Sequence, residues 1–459
     1  MKEKVVFAVA LCMIIVCLNV FSLGYTHEIS HTYFRVSSSH GPAQWTVMYY
    51  MCCDSNMDED SAPLIENLSR IKSTSTLNII LLNDQKKPGD TKLIYIDKAG
   101  KPVELNQQLG WPNEVDTSNP HTLELFCRDM MSLFPAEHYA LITYASGGTG
   151  WQVYCLHDES DGKTGISLPV LARVFNNITN QGAQKIDVLM VSCAMGTIEL
   201  SFEVSPYVNY IIGTQDCFEK RDMINRFYVL VEDLHNNTDM TPEQFASCSP
   251  TRLDPRPFYY HESYYGYLPL LNQVLNRLPF TGLHCVMHYP SSAVINLSNI
   301  EQMAMALENL SGFLLANMNN MDIQEDVWYA REHVRESGKC YPKIVAFRLY
   351  GFLTLYSFEF FAYDCFIELY HFVELLGHQT DNVILKTLCA SLLNRSNETI
   401  PLIKSALNED HGLNIYFPQT RYMYDKYIFR GELPCPYENL RLSQDSQWDN
   451  FIRTFIDVN

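Results

Sequence analysis

The chain has 459 residues, of which 47% are hydrophobic, 12% aromatic and 19% charged, a composition that supports a large packed core and excludes a disordered or fibrous chain. At ~150 residues per domain the length allows about three units. Its 33 Lys and Arg against 52 Asp and Glu leave a net charge of −19, which repels a phosphate backbone and excludes nucleic acid as an expected partner.

The N-terminus reads as a targeting segment. Lys2 and Lys4 precede an apolar run from Val5 to Leu18, and Ser22-Leu23-Gly24 supplies the small residues of a cleavage site. The run falls short of the ~20 residues of a comfortable membrane span. The expectation is therefore a signal peptide over 1–24, cut to leave Tyr25, with an uncleaved anchor as the alternative. Val16 before Cys17 does not suit a lipoprotein signal, and no later segment has the length and apolarity of a membrane span. The expected location is secreted or otherwise exported, with no membrane span after signal cleavage. Of 14 cysteines, Cys12 and Cys17 fall in that segment; the others are even in number, and an exported protein could pair them. None has zinc-site spacing, so no metal or cofactor is expected. Glycosylation sequons occur at Asn67, Asn177, Asn236, Asn296, Asn309, Asn394 and Asn397.

After a polar segment over 25–44, strand-like and helical runs alternate. Trp45–Met51 is continuously apolar and β-prone, the pattern of a strand buried on both faces. A helix over 61–72 leads to a strand over 77–82, and 92–96 with 102–105 reads as a hairpin around Lys98-Ala99-Gly100-Lys101. A helix over 123–134 then precedes a strand over 139–144, and one over 168–176 precedes a strand over 186–191. The helix beginning at Thr197-Ile198-Glu199-Leu200 leads to a strand over 208–213. This rhythm predicts right-handed crossovers and a mainly parallel sheet with helices on both faces. Residues 300–407 read as largely helical, with amphipathic runs over 302–318, 365–376 and 383–393. A last strand, Leu413–Phe417, stops at Pro418. The expected organisation is an α/β core over 45–299 and a mainly helical subdomain over 300–407 inserted before the last strand. The closing strand and C-terminal helix follow over 408–459. All six strands, 413–417 included, are expected in one mixed, mainly parallel sheet.

In such sheets sites form beyond the carboxyl ends of the strands. Two ends stand out: Ala145-Ser146-Gly147-Gly148-Thr149-Gly150-Trp151, and Val191-Ser192-Cys193-Ala194-Met195-Gly196. A cysteine beginning a helix is favoured as thiolate, and the glycines would let backbone N–H groups approach a carbonyl oxygen. The same residues also fit a buried cysteine beside an ordinary tight loop. Asp216, Glu219 and Asp222 are candidates for a cation-attracting cleft or a solvated loop. Asp54, Asp58, Glu59 and Asp60 lack EF-hand spacing and read as helix-start charge rather than a Ca²⁺ site. His284 and His288 lie in a strand-like stretch that does not suit a metal pair.

Five segments in order resemble the clostripain family of cysteine peptidases, which have a caspase-like fold. They are Trp45–Met51 running on to Asp54-Ser55-Asn56-Met57, Pro135–Ile142, Lys185–Asp187 through Cys193 to Glu199, Gly412–Pro418, and Trp448–Phe451. The resemblance implies that Cys193 holds the nucleophile position. It also implies that Ser146, before Gly147, stands where the family carries the histidine that activates the cysteine. Val191 stands where the family carries an aspartate of the pocket for a basic P1 side chain. With Gly147, Gly148 and Asp216, it marks the expected substrate-binding positions. Serine has no pKa near neutrality and cannot take up the thiol proton, so the expected protein is an exported homologue with lost or impaired activity that binds a peptide or protein. The alternative is an active cysteine endopeptidase with a non-standard base and altered P1 specificity. His157, shortly after the glycine loop, is then the candidate base. His138 begins the same strand and falls at its far end, and His378 and His411 read as surface or core residues.

Overall fold

The strands, in chain order, are β1 (Ala43–Cys52), β2 (Leu77–Asp84), β3 (Lys92–Ile96), β4 (Pro102–Glu104), β5 (Ala136–Ala145), β6 (Ile186–Met190), β7 (Val208–Gly213), β8 (Phe258–Tyr260), β9 (Val286–His288), β10 (Ser291–Asn296), β11 (Pro342–Leu349), β12 (Leu353–Phe360), β13 (Phe366–Glu368), β14 (Leu402–Ser405) and β15 (Asn414–Tyr416). The longer helices are α1 (Ser61–Ile71), α2 (Pro120–Leu133), α3 (Leu168–Ile178), α4 (Ile198–Val204), α5 (Lys220–Asn236), α6 (Pro242–Arg252), α7 (Ile300–Asn317), α8 (Met321–His333), α9 (Leu369–Gln379), α10 (Val383–Thr399) and α11 (Trp448–Val458). This computed structural model describes residues 42–54, 61–145, 165–191, 194–215, 220–254, 258–260, 286–288, 290–336, 342–349, 353–360, 365–421, 424 and 435–458. The expected signal segment lies outside the described residues. Among them no helix is long and apolar enough to cross a membrane.

Nine strands form one sheet in the order β14-β10-β7-β6-β5-β1-β2-β3-β4. Its centre is parallel: Trp45 of β1 lies opposite Leu77 of β2 and His138 of β5. Consecutive side chains of β1 point to opposite faces, as strand geometry requires. Met48 and Tyr50 join a cluster with Phe126 of α2, Val174 of α3 and Leu307 of α7. Val47 and Tyr49 join another, with Leu68 of α1, Phe227 of α5 and Phe245 of α6. Helices thus cover both faces, which is why the central strands read as largely apolar runs. The 92–105 hairpin is present as β3 paired antiparallel with β4.

The last strand departs from the expectation. Leu413–Phe417 is not part of the main sheet; β15 pairs antiparallel with β13, Ile415 opposite Ile367. Its burial comes from aromatic packing instead. The Phe417 ring lies 5.3 Å from Phe372, 5.4 Å from Trp448 and 5.0 Å from Phe455, and Trp448 Nε1 donates to the Tyr416 carbonyl (2.9 Å). The sheet is completed by β10, antiparallel to β7, and β14, antiparallel to β10. Within the stretch expected to be helical, β11 and β12 form a hairpin.

Candidate active site

β5, β6 and β7 run parallel side by side, Ile142 opposite Met190 and Met190 opposite Ile212. Their carboxyl ends share one edge of the sheet, where binding and catalysis concentrate in open α/β folds. The Thr143 hydroxyl donates to the Met190 carbonyl (3.2 Å), and Val191 N–H donates to the Ile212 carbonyl (3.2 Å), so the three exits are cross-tied. Ser146 follows directly on Ala145 at the end of β5, and Cys193 stands two positions beyond Val191. Ser146, Gly147, Gly148, Cys193 and Asp216 themselves lie outside the described residues, as do Asp58, Glu59, Asp60, His157, Glu219 and His284. Val191 is a buried valine, 5% exposed. His138 lies at the opposite end of β5, its ring 4.8 Å from Trp45 and its Nδ1 3.4 Å from Asp187.

The turn leaving position 193 is tightly specified. Ala194 has φ 47, a left-handed conformation that costs a residue with a Cβ ~1–2 kcal/mol and persists only where the surroundings impose it. Two residues on, Gly196 donates its N–H to the Thr214 carbonyl (2.9 Å) and accepts from the Asn414 N–H (2.8 Å). A Cβ at Gly196 would lie 2.9 Å from the Thr214 oxygen and 3.1 Å from its nitrogen, so only glycine fits this approach. Thr197 then caps α4, its hydroxyl oxygen accepting from Leu200 N–H (3.3 Å).

All 7 residues of α4 are buried, Glu199 and Glu203 among them. Glu199 Oε1 accepts from the Tyr416 N–H (2.8 Å) and the Tyr437 hydroxyl (3.0 Å). Burial pushes its pKa up to about 7, against the lowering effect of the Tyr416 N–H, its own backbone N–H and the Tyr437 hydroxyl. Glu203 is raised for the same reason, with the Arg441 N–H and guanidinium opposing.

Beyond the end of β7, Gln215 gathers a polar hub. Its Oε1 accepts from Gly412 N–H (2.9 Å), and its Nε2 donates to Asn414 Oδ1 (3.0 Å) and Glu368 Oε1 (3.2 Å). Asn414 Nδ2 returns a bond to the Gln215 carbonyl (3.0 Å). Glu368, fully buried, also accepts from the N–H groups of His371 (2.6 Å) and His411 (3.2 Å). The His411 ring stacks on Tyr370 at 4.1 Å, with Nδ1 3.5 Å from Glu368. Burial lowers the His411 pKa, but the Glu368 carboxylate and the Glu409 carbonyl together raise it further, so the net shift is upward. His371 is lowered, burial outweighing its acidic neighbours, and its Nδ1 accepts from Arg335 N–H (3.0 Å). The closing segment 411–417 therefore braces the turn after position 193 and the exit of β7 together. Sequence reasoning assigned no role to Glu199, Gln215, Glu368 or Asn414. The local signal is a pair of glutamates, Glu199 and Glu203, inside the otherwise largely apolar stretch beginning at Ile198. Among the described residues, no three His, Cys, Asp or Glu side chains converge as metal ligands.

A mainly parallel sheet with helices on both faces, and a cysteine that follows one of its central strands in the sequence, fits the caspase-like α/β fold. Residues 49–218 match the sequence profile of the clostripain family. The structure resembles a secreted C11 cysteine protease from Bacteroides thetaiotaomicron solved with an irreversible peptide inhibitor, at TM-score 0.56 and 12% identity, over 89% of this chain and 100% of that one. It also resembles an inactive zymogen C11 protease from Parabacteroides distasonis, at TM-score 0.55 and 12% identity, over 88% and 98% of the two chains. At such identity these likenesses establish the shared fold. No curated protein matches the sequence.

Proposed function

We propose that the protein is an exported clostripain homologue whose peptidase activity is lost or impaired, and which binds a peptide or protein at the carboxyl edge of β5, β6 and β7. One observation carries the reading. β5 and β6 are adjacent and parallel, and in the sequence the residue after Ala145 is Ser146, where the clostripain resemblance expects a histidine, while Cys193 follows Val191 by two positions. A general base is typically worth ~10²–10⁴-fold, and a hydroxyl does not supply one at neutral pH. Val191, apolar and buried, leaves a basic P1 group without a carboxylate at that position. The similar Bacteroides thetaiotaomicron protease, secreted and solved with a peptide inhibitor, supports export and peptide recognition.

The test is alkylation of Cys193 by iodoacetamide across pH, beside hydrolysis of peptides carrying Arg or Lys at P1. Labelling should rise only toward pH ~8.5, as for an ordinary thiol, and hydrolysis should be at background. Robust hydrolysis that disappears in Cys193→Ala would refute the reading and make His157→Ala the next variant. Binding is tested by titrating an immobilised peptide library with the intact protein; no binder at any length would remove the second half of the proposal.

A further inference from the structure

We propose that Glu199 is a positioning residue for the turn after Cys193, tying α4 to the closing segment through a protonated carboxyl group, so that the tie weakens as the medium becomes alkaline. This rests on reading position 193 as the site. The geometry comes first. Glu199 is fully buried, stands at the start of the helix that follows the turn, and holds two separate parts of the C-terminal chain through one oxygen, Tyr416 N–H and Tyr437 O–H. Among the described residues its other oxygen, Oε2, has no partner. A buried carboxylate with half of its acceptor capacity unused is costly, and protonating it removes the charge.

Among the described residues, the groups around it do not neutralise it. Tyr437 is itself pushed well up, by burial and then by the Glu199 charge. Glu203, on the same helix, accepts from Arg441 N–H. The Arg441 guanidinium covers the Phe202 ring at 4.0 Å and pairs with Glu301 at 2.6 Å and Asp445 at 3.3 Å. On α11, Asp449 accepts from Tyr424 and pairs with Arg453. Each described cation on this side thus already serves another carboxylate.

The direction follows from linkage. The folded pKa of Glu199, about 7, lies above its ordinary 4.5. Its contribution is therefore complete below pH 4.5 and is lost as pH rises through about 7. If opening of the tie exposes the carboxyl group to water, opening should become about tenfold easier between pH 6 and pH 8.

Hydrogen exchange on the intact protein, corrected for the intrinsic pH dependence of exchange, reads this out. Protection of the amides of 413–417 and of 194–198 should fall together by at least about tenfold over that range, and Glu199→Gln should remove about a tenfold part of that fall, leaving the part that His411 contributes. A flat wild-type profile, or the same slope in Glu199→Gln, overturns the inference. Should Glu199→Gln not fold, Tyr437→Phe replaces it. Losing that donor must move the wild-type step to higher pH, and an unmoved step overturns the inference as well. Exchange does not depend on Cys193 chemistry, so failure of the tie and failure of the proposed function are separately visible.

Discussion

Replacing Gly196 with alanine probes the site's architecture at its narrowest point. The added methyl would meet the Thr214 carbonyl oxygen at 2.9 Å and its carbon and nitrogen at 3.1 Å, all backbone atoms of the exit from β7. No rotamer change relieves such a contact, so the turn must move. Overpacking of this kind costs ~1–3 kcal/mol. Moving the turn also strains the bonds from Gly196 N–H to Thr214 and from Asn414 N–H to Gly196, each worth about 1 kcal/mol. The expected loss is up to ~3–5 kcal/mol, the overpacking range plus about 2 kcal/mol if both bonds are lost. Gly312, inside α7 with nothing within 4 Å of an added Cβ, is the internal control: Gly312→Ala should gain ~0.5–1 kcal/mol from helix propensity. Urea midpoints at unchanged slope measure both. Gly196→Ala within ~0.5 kcal/mol of wild type, with Gly312→Ala behaving as expected, would refute the packing argument.

Gln215→Ala should destabilise by ~1–3 kcal/mol or more, because it strips partners from buried Glu368, Asn414 and Gly412 N–H at once; a neutral result in the same urea assay would count against the hub. Trp448→Ala, which empties the site packed by Phe372, Phe417 and Phe451, should cost ~3–5 kcal/mol, read by calorimetry. His411 has a raised folded pKa, so its contribution is full below the ordinary value near 6.5 and fades as pH rises through the folded one. His411→Ala should therefore destabilise at pH 5.5 and have little effect at pH 9, and equal destabilisation at both would remove the Glu368 pairing as the cause.

The sheet was legible where strands are buried on both faces. Trp45–Met51 reads as a continuous apolar and β-prone run, and Leu77–Leu82, Tyr139–Tyr144 and Ile186–Val191 as largely apolar ones, because helices cover both sides of them. The same signal misplaced Leu413–Phe417. An apolar run reports burial and not what does the burying, and here rings from α9 and α11 do it. β14 was missed because it is a short, half-buried edge strand, with neither apolar continuity nor clean alternation. At the site, strand exits could be read locally, since a glycine turn or a cysteine after a strand is a local pattern. Gln215, Glu368 and Asn414 could not, because each is an unremarkable polar residue until the fold brings three distant stretches together.

The bond from Tyr416 N–H to Glu199 joins positions 217 apart in the chain. As the protein is synthesised from its N-terminus, β1, β2, β5, β6 and β7 emerge long before β15. The sheet can assemble while the turn that follows position 193 still lacks its brace. Contacts of such long range are made late and slowly. A nascent or truncated chain that stops short of 411 would therefore carry a formed sheet and an unsecured turn, and whatever the site does would begin only once the last part of the chain had closed over it.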